Sequence, residues 1–301
     1  MTSPQKNLRL RAKVIRAVRS FFVEEGFLEV DTPIRIPSPA PEQHIEAVPS
    51  GNWALQTSPE LCMKRLLSSG YSRIFQICKC FRGHERGIKH LPEFTLLEWY
   101  CTETGYHAFM DQCESLIRSV AAVNGGADIL HYQGHRVDLS GPWPRISVAE
   151  AFQRWGTLSM GSALSQDRFD EVMVNDIEPK LGFEKPVFLC DYPAERAALA
   201  KLNPADPTLA MRFELYICGL ELCNAFMELT DPVEQRQRFE AERSELLKNG
   251  KPVFPIPDPF LAALKDMPEA AGNALGLDRL VMLLADTASI DDVVAFTPQE
   301  L

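Results

Sequence analysis

Residues 80–100 read CFRGHERGIKHLPEFTLLEWY, and the fold turns on how this stretch is parsed. Arg82 follows the apolar run FQICKCF. A short charged loop comes next, and then a second run from Phe94 to Tyr100. Strand, loop, strand predicts an antiparallel hairpin with a functional loop. Strand alternation puts Phe94, Leu96, Glu98 and Tyr100 on one face and Thr95, Leu97 and Trp99 on the other. A face carrying a ring, a carboxylate and a phenol beside Arg82 is poor core material. It suits a nucleotide with a charged co-substrate, although a hairpin with one solvated face gives the same pattern.

Around this stretch the composition is that of an ordinary globular protein. The chain has 301 residues, 46% hydrophobic and 24% charged, enough for one large domain or two small ones. A net charge of -10 argues against a general nucleic-acid-binding surface. The first residues, MTSPQKNLRLRAK, lack the apolar run of a signal peptide. No stretch approaches the ~18 uninterrupted apolar residues of a membrane span. The eight cysteines form no CxxC pair, so free thiols in a reducing cytoplasm are expected rather than a zinc site.

Residues 7–25 have helical spacing in Val14, Ile15, Val18, Phe21 and Phe22, with Arg9, Lys13 and Arg16 as a basic stripe. Gly26 reads as the residue past its end, and 27–30 as a strand stopped by Asp31-Thr32-Pro33. This pair is a reasonable dimer seam. Residues 34–52 read as loop. Ser58 reads as the N-cap of a helix with Pro59 at its first position. Glu60 then sits at the positive end of that helix, either as plain first-turn capping or as a ligand for an amine. Helices are expected at 106–123, 147–155 and 166–180, a link or turn over 124–145, and a strand at 186–191. None of this middle region shows a chemical motif.

Residues 212–232, RFELYICGLELCNAFMELTDP, predict a second hairpin. A turn centred between residues 217 and 218 makes Glu214 and Glu221 direct cross-strand partners. Two like charges so placed are destabilising unless compensated. A divalent cation bridging to phosphates is one compensation and an Arg or Lys is another. Asn224, Phe226 and Glu228 alternate onto one face. Glu221 joins them only if a bulge falls near Asn224-Ala225. Finally, GNALGLDRLVMLLADT, residues 272–287, is a Gly-containing turn leading into an apolar helix, a ready phosphate site. Asp278 and Arg279 lie in its first turn, where a buried pair carries a desolvation cost, which marks Arg279 as a functional candidate.

Taken together, these segments resemble the class II aminoacyl-tRNA synthetases. FLEVDTP resembles their motif 1, FRGHERGIKHLPEFTLLEWY motif 2 and ALGLDRLVMLL motif 3. With TSPELCMKRLL and GLELCNAFMELTDPVEQRQRF they are similar to the lysyl branch over essentially all 301 residues. The resemblance implies a single catalytic domain over 1–301: an α+β fold with an antiparallel sheet flanked by helices, a homodimer joined through motif 1. Motif 1 stands near the first residue, so the anticodon-binding domain of lysyl-tRNA synthetases is expected to be absent. That architecture resembles the truncated paralogues of this branch that attach β-lysine to elongation factor P.

By that resemblance Arg82 and Arg279 are the catalytic residues, acting on the α-phosphate and the far phosphates of ATP. Gly83, His84, Glu85, Leu91, Glu221, Leu222 and Gly276 complete the nucleotide site, and Phe94 stacks on adenine. Glu214 and Glu221 bind Mg²⁺. Ser58, Pro59, Glu60, Tyr100, Asn224, Glu228 and Ala274 surround lysine or β-lysine. The order Arg82-Gly83-His84-Glu85 departs from the usual Arg-x-Glu, which leaves His84 or Glu85 to meet the adenine amine. Leu91 stands where Asn is common and Ala225 where Gly is common. Ala274 replaces the first Gly of GxGxDR, as in the paralogue. The implied chemistry is attack of an already ionised carboxylate on the α-phosphorus, which needs positioning and charge stabilisation and no base, and then aminolysis of the adenylate by a lysine ε-amine. A tRNA is the less expected acceptor. A truncated enzyme that charges tRNA, and a non-catalytic paralogue, stand as the other readings.

Overall fold

The structure is a computed structural model and describes residues 3–123, 125 and 128–301. Its frame is a nine-stranded sheet. The strands are β1 (Leu28–Glu29), β2 (Arg73–Phe81), β3 (Glu93–Thr102), β4 (Arg145–Ser147), β5 (Val187–Pro193), β6 (Leu202–Asn203), β7 (Asp206–Ile217), β8 (Leu220–Met227) and β9 (Ala270–Gly276). Their order is β1-β2-β3-β9-β8-β7-β5-β4, with β6 pairing β7. The outer pairs, β1 with β2 and β5 with β4, are parallel; all the others are antiparallel.

Each face of the sheet is covered by helices, as amphipathic elements require. Helix α1 (Ser3–Glu24) buries Val14, Val18 and Phe22. The Phe22 ring stacks on Phe75 at 4.8 Å and lies 5.4 Å from Trp99. Helix α3 (Tyr106–Ala122) packs on the same face, where Leu97, Trp99 and Cys101 project from β3. Helices α2 (Glu60–Ser68) and α4 (Val148–Trp155) belong to the other face. The same side carries α5 (Pro232–Lys248) and α6 (Asp258–Leu264), while α7 (Leu277–Ala285) leaves β9 toward α1. Because β3 alternates, Phe94, Leu96, Glu98 and Tyr100 face away from the α1 core and into a cavity. No helix among the described residues is long and apolar enough to cross a membrane, and all eight cysteines are free thiols.

Several expectations need correction. Residues 129–138 are a hairpin, Ile129–Tyr132 with His135–Asp138, and not simply a link. Its turn is Gln133-Gly134, with φ of +50° and +82°, and Leu130, Tyr132 and Val137 are its buried residues. Residues 124, 126 and 127 of that expected link lie outside the described residues. Helix α2 starts at Glu60 with Pro59 as its cap, one position later than expected. The Ser58 hydroxyl still accepts the Glu60 N–H at 3.0 Å. The register of β7 and β8 is the largest change. The turn is Cys218-Gly219, both with positive φ, and Glu221 pairs with Tyr216 while Glu214 pairs with Asn224. Glu214 and Glu221 are therefore diagonal neighbours, not directly opposed.

Candidate active site

The loop from β2 to β3 builds one end of the cavity. The Arg82 N–H donates to the Pro92 carbonyl at 2.9 Å, which fixes the residue after the strand. The Arg82 guanidinium then lies 5.0 Å from the centre of the Phe94 ring, a cation–π contact. Two residues on, His84 takes left-handed backbone (φ +60°) and turns outward. Its side chain is 85% exposed and lies 3.2 Å from the Glu46 carboxylate. Glu85 instead lines the cavity, 3.9 Å from Arg82. The additional residue of this loop is thus flipped out, and of the two candidates it is Glu85 that faces the cavity. Gly83 does not line it; its N–H donates to the Glu46 carbonyl at 2.7 Å.

Arg279, in the first turn of α7, closes the same end. It donates to the Glu221 carbonyl at 2.8 Å and lies 3.3 Å from the Glu221 carboxylate. Its other terminal nitrogen is 2.6 Å from His90 Nε2. Burial and the Arg279 charge push the His90 pKa below its ordinary value, so the neutral ring accepts this bond. Asp278 has a different job. It is 2% exposed, accepts the Thr95 N–H at 2.6 Å and pairs with Arg11 of α1. Arg11 also donates to the Thr95 hydroxyl at 2.7 Å. Both line the cavity, but Asp278 is tied to Arg11 and Thr95 while Arg279 bridges to Glu221 and His90.

The floor of the cavity is β9. Ala274 pairs with Glu98 on one side and Asn224 on the other, Gly272 with Tyr100 and Phe226, and Gly276 with Leu96. Small residues at these alternate positions leave a trough between taller neighbours. A Cβ at Gly272 would lie 2.2 Å from Glu228 Oε1 and 2.3 Å from the Tyr100 ring, so any side chain there must displace them. The bulge that brings Glu221 to the same face as Asn224 falls between the Tyr216–Glu221 and Leu215–Cys223 pairs. It thus involves Leu222 rather than Asn224-Ala225.

At the far end of the trough acids converge. Glu98, 1% exposed, accepts from the Ser58 hydroxyl at 2.6 Å and the Tyr100 hydroxyl at 2.7 Å. Glu60 lines the cavity beside them. Glu228 and Pro59 do not line it. Glu228 is buried behind the wall, where its carboxylate lies 2.5 Å from Lys64. Lys64, itself 1% exposed, also pairs with Glu60 and lies over the Phe226 ring at 5.0 Å. Burial first, and then Glu60, pushes Glu98 up to about 7. Burial pushes Glu228 up to about 8 even with Lys64 beside it. Sequence reasoning missed Lys64, Gly272 and Glu42. Lys64 stands four residues after Glu60, a helical pairing distance, and Gly272 shares the parity of Ala274 and Gly276; both were legible signals. Glu42, in the loop before the first motif-like helix, had none.

Glu214 lies off the cavity wall. One carboxylate oxygen accepts from Arg212 at 2.7 Å and the other from the hydroxyls of Tyr192 and Tyr216 at 2.6 Å each. Arg212 and Arg279 thus stand beside the two acids. Among the described residues no group of three or more His, Cys, Asp or Glu side chains is gathered as a metal site. The cavity enclosed by these residues measures about 270 Å³.

Residues 2–300 match the model of the tRNA synthetases class II (D, K and N). Over 98% of its length the chain is 39% identical to the elongation factor P–(R)-beta-lysine ligase of Vibrio cholerae serotype O1, covering 96% of that protein. To the ligase of the same name from Haemophilus influenzae (strain PittGG) it is 39% identical over 97% of this chain and 94% of that one. It is 36% identical over 95% of its length to the lysine–tRNA ligase of Moorella thermoacetica, of which it spans 64%.

Proposed function

We propose, from the premise that this chain belongs to the tRNA synthetases class II (D, K and N), that it is an ATP-dependent ligase for elongation factor P. It activates lysine or β-lysine as an adenylate and transfers the aminoacyl group to a lysine ε-amine of that protein. The observation that carries the reading is the division of one cavity into two chemically opposite ends. Arg82, Phe94 and Arg279 form a cationic, aromatic end for a nucleotide. Glu60, Glu98 and Tyr100 form an anionic end, with β9 as the trough between them. A diamino acid bears two ammonium groups, and an end lined by acids holds them while its carboxylate points to the phosphates.

The chemistry follows from that placement. The substrate carboxylate, already ionised, forms a bond to the α-phosphorus as the α–β phosphate bridge breaks and pyrophosphate leaves. Arg82 and Arg279 offset the charge that develops on the phosphoryl oxygens. Ser58 and Tyr100 hold the Glu98 carboxylate in place, so it needs little reorganisation on binding the amine. Mg²⁺ fits the donor chemistry here, because a hard cation on ATP takes one or two protein carboxylates and the rest of its ligands from phosphates and water. Glu221 offers such oxygens at the cavity wall. Glu214 offers what its bonds to Arg212, Tyr192 and Tyr216 leave free. Bound there, the ion would polarise the phosphates.

A second copy of the chain is expected on the surface where Val23, Leu28 and Ile34 are exposed by 63%, 50% and 43%, giving a homodimer. The test of function is ATP–pyrophosphate exchange with every amino acid and with β-lysine. A competition between elongation factor P and total tRNA for labelled amino acid follows. Label on an internal lysine of elongation factor P supports this reading. Label confined to the tRNA 3′ end promotes the tRNA-charging reading, which the similarity to a lysine–tRNA ligase keeps in view.

A further inference from the structure

A second cavity of about 450 Å³ lies against the first. Glu42, Ile45, Ala198, Leu199 and Asn224 line both and so form the partition. Ala198 holds left-handed backbone there, with φ of +50°, the kind of strain that persists where surroundings impose it. Helix α5 supplies the opposite wall with Phe239 and Gln235. Gln235 is 1% exposed, and neither polar atom of its amide has a partner among the described residues. Such an amide carries a desolvation cost that a polar ligand removes. The cavity reaches the surface at the exposed Ala241. Leu199 and Phe239 give the lining an apolar strip, the Gln235 amide adds an unpaired acceptor, and the acids Glu42, Asp170, Glu195 and Glu242 outnumber the bases Arg196, Arg212 and Arg238; a methylene chain ending in an ammonium suits the strip and the acids.

Glu42 stands where the two cavities meet. No hydrogen bond or ion pair fixes its carboxylate among the described residues. The charges that face it are Glu60 of α2 and Arg82 on the first cavity, and Arg212 of β7 and Glu242 of α5 on the second. Glu60 marks the amine end of the trough and Arg82 the phosphate end. An adenylate spanning those ends would set its acyl–phosphate bond between the two groups, and Glu42 faces both of them on the same cavity wall.

We propose that the second cavity admits the acceptor lysine side chain and that Glu42 is the base that takes the proton from its ammonium. The inference rests on the function proposed above and names how its acceptor reaches the site. The Glu42 carboxylate accepts one proton, leaving a neutral amine. The nitrogen lone pair forms the C–N bond at the acyl carbon, and the C–O bond to phosphate breaks. AMP leaves with that electron pair, and the second nitrogen proton passes to the AMP phosphate or to solvent. Burial, with Glu60 adding to it, pushes Glu42 up to about 7, closer to the operating pH of a general base than an ordinary carboxylate.

The test follows single-turnover transfer from preformed adenylate to elongation factor P between pH 6 and 9, beside ATP–pyrophosphate exchange. Glu42→Gln is expected to slow transfer about 10²-fold more than it changes exchange. Its transfer rate then climbs about tenfold per pH unit, as the acceptor loses its proton to solvent. Glu42→Asp is expected to restore part of the loss. Ala241→Trp, at the mouth, is expected to raise the KM for elongation factor P more than it changes exchange. Equal losses of transfer and exchange in Glu42→Gln with the wild-type pH profile overturn the base, and an unchanged KM in Ala241→Trp overturns the route. Wild-type enzyme that labels tRNA and leaves elongation factor P bare overturns the function as well. Wild-type labelling with equal losses overturns this inference alone.

Discussion

Single side chains set the two ends of the cavity apart. Arg82 is held by its own backbone bond to Pro92 and stacked over Phe94, so its charge is in place before a phosphate arrives. Arg82→Ala is expected to cut ATP–pyrophosphate exchange about 10²-fold or more while the fold persists; near-normal exchange in a folded variant would remove Arg82 from the reaction. The acidic end makes a prediction about pH. Glu98 and Glu228 titrate near 7 and 8 because burial disfavours their charge. In the unfolded chain each ionises near 4.5. The unfolded state therefore binds fewer protons over that window. The contribution of both groups is fully present below about pH 4.5 and is lost as pH rises through about 7 and 8. The urea midpoint without ligand is expected to fall over this range, and to fall less in Glu98→Gln. Binding runs the other way, since an ammonium needs the ionised acids. The KM for lysine or β-lysine is expected to be higher at pH 6 than at pH 8, and a flat profile would contradict the role given to this cluster.

At the scale of elements, β9 is the strand to perturb. Its neighbours β3 and β8 supply the tall side chains, and its own small residues leave the room between them. Gly272→Ala forces a methyl against the Tyr100 ring and the Glu228 carboxylate. Overpacking of this kind costs about 1–3 kcal/mol, so the variant is expected to fold with a lowered urea midpoint and to lose amino-acid activation. Retained exchange at the wild-type KM would show that Tyr100 does not need its present place. Ala274 lies one step along the same trough, between Glu98 and Asn224. A methyl there changes discrimination by about 1–3 kcal/mol. Ala274→Gly is expected to improve the use of α-lysine relative to β-lysine, read as the ratio of kcat/KM in exchange; an unchanged ratio would rule out this position as a selector.

Across the whole molecule, one buried tie joins the first helix to the last. Arg11 of α1 pairs with Asp278 of α7, and both meet Thr95 of β3. Their side chains are 15% and 3% exposed. Removing one partner of such a pair leaves an uncompensated buried charge, at a cost of about 3 kcal/mol or more. Arg11→Leu is expected to lower stability by that order in urea titration, and a variant as stable as wild type would mean that Asp278 finds another partner. The consequence reaches the site, because Asp278 precedes Arg279 and fixes the turn from which Arg279 extends.

Much of this protein was legible in its order of residues because the signals were local. The period of two in Phe94–Tyr100 put Glu98 and Tyr100 on the cavity face, and Arg82 and Arg279 stood out as charges at the edges of apolar runs. The five motif-like segments by themselves resembled the family. What sequence could not decide were relations between residues far apart in the chain or dependent on one residue of register. Placing the turn at Cys218-Gly219 and the bulge at Leu222 moved Glu214 from opposite Glu221 to opposite Asn224, and no periodicity reveals such a slip, because a single inserted residue shifts every later pair. The loop of His84 is the same effect in miniature: a positive φ turned one side chain out and left Glu85 facing in. Lys64 with Glu228, Arg11 with Asp278, and Glu42 between two cavities depend on long-range packing alone, which brings their charges together only when the sheet is closed on both faces.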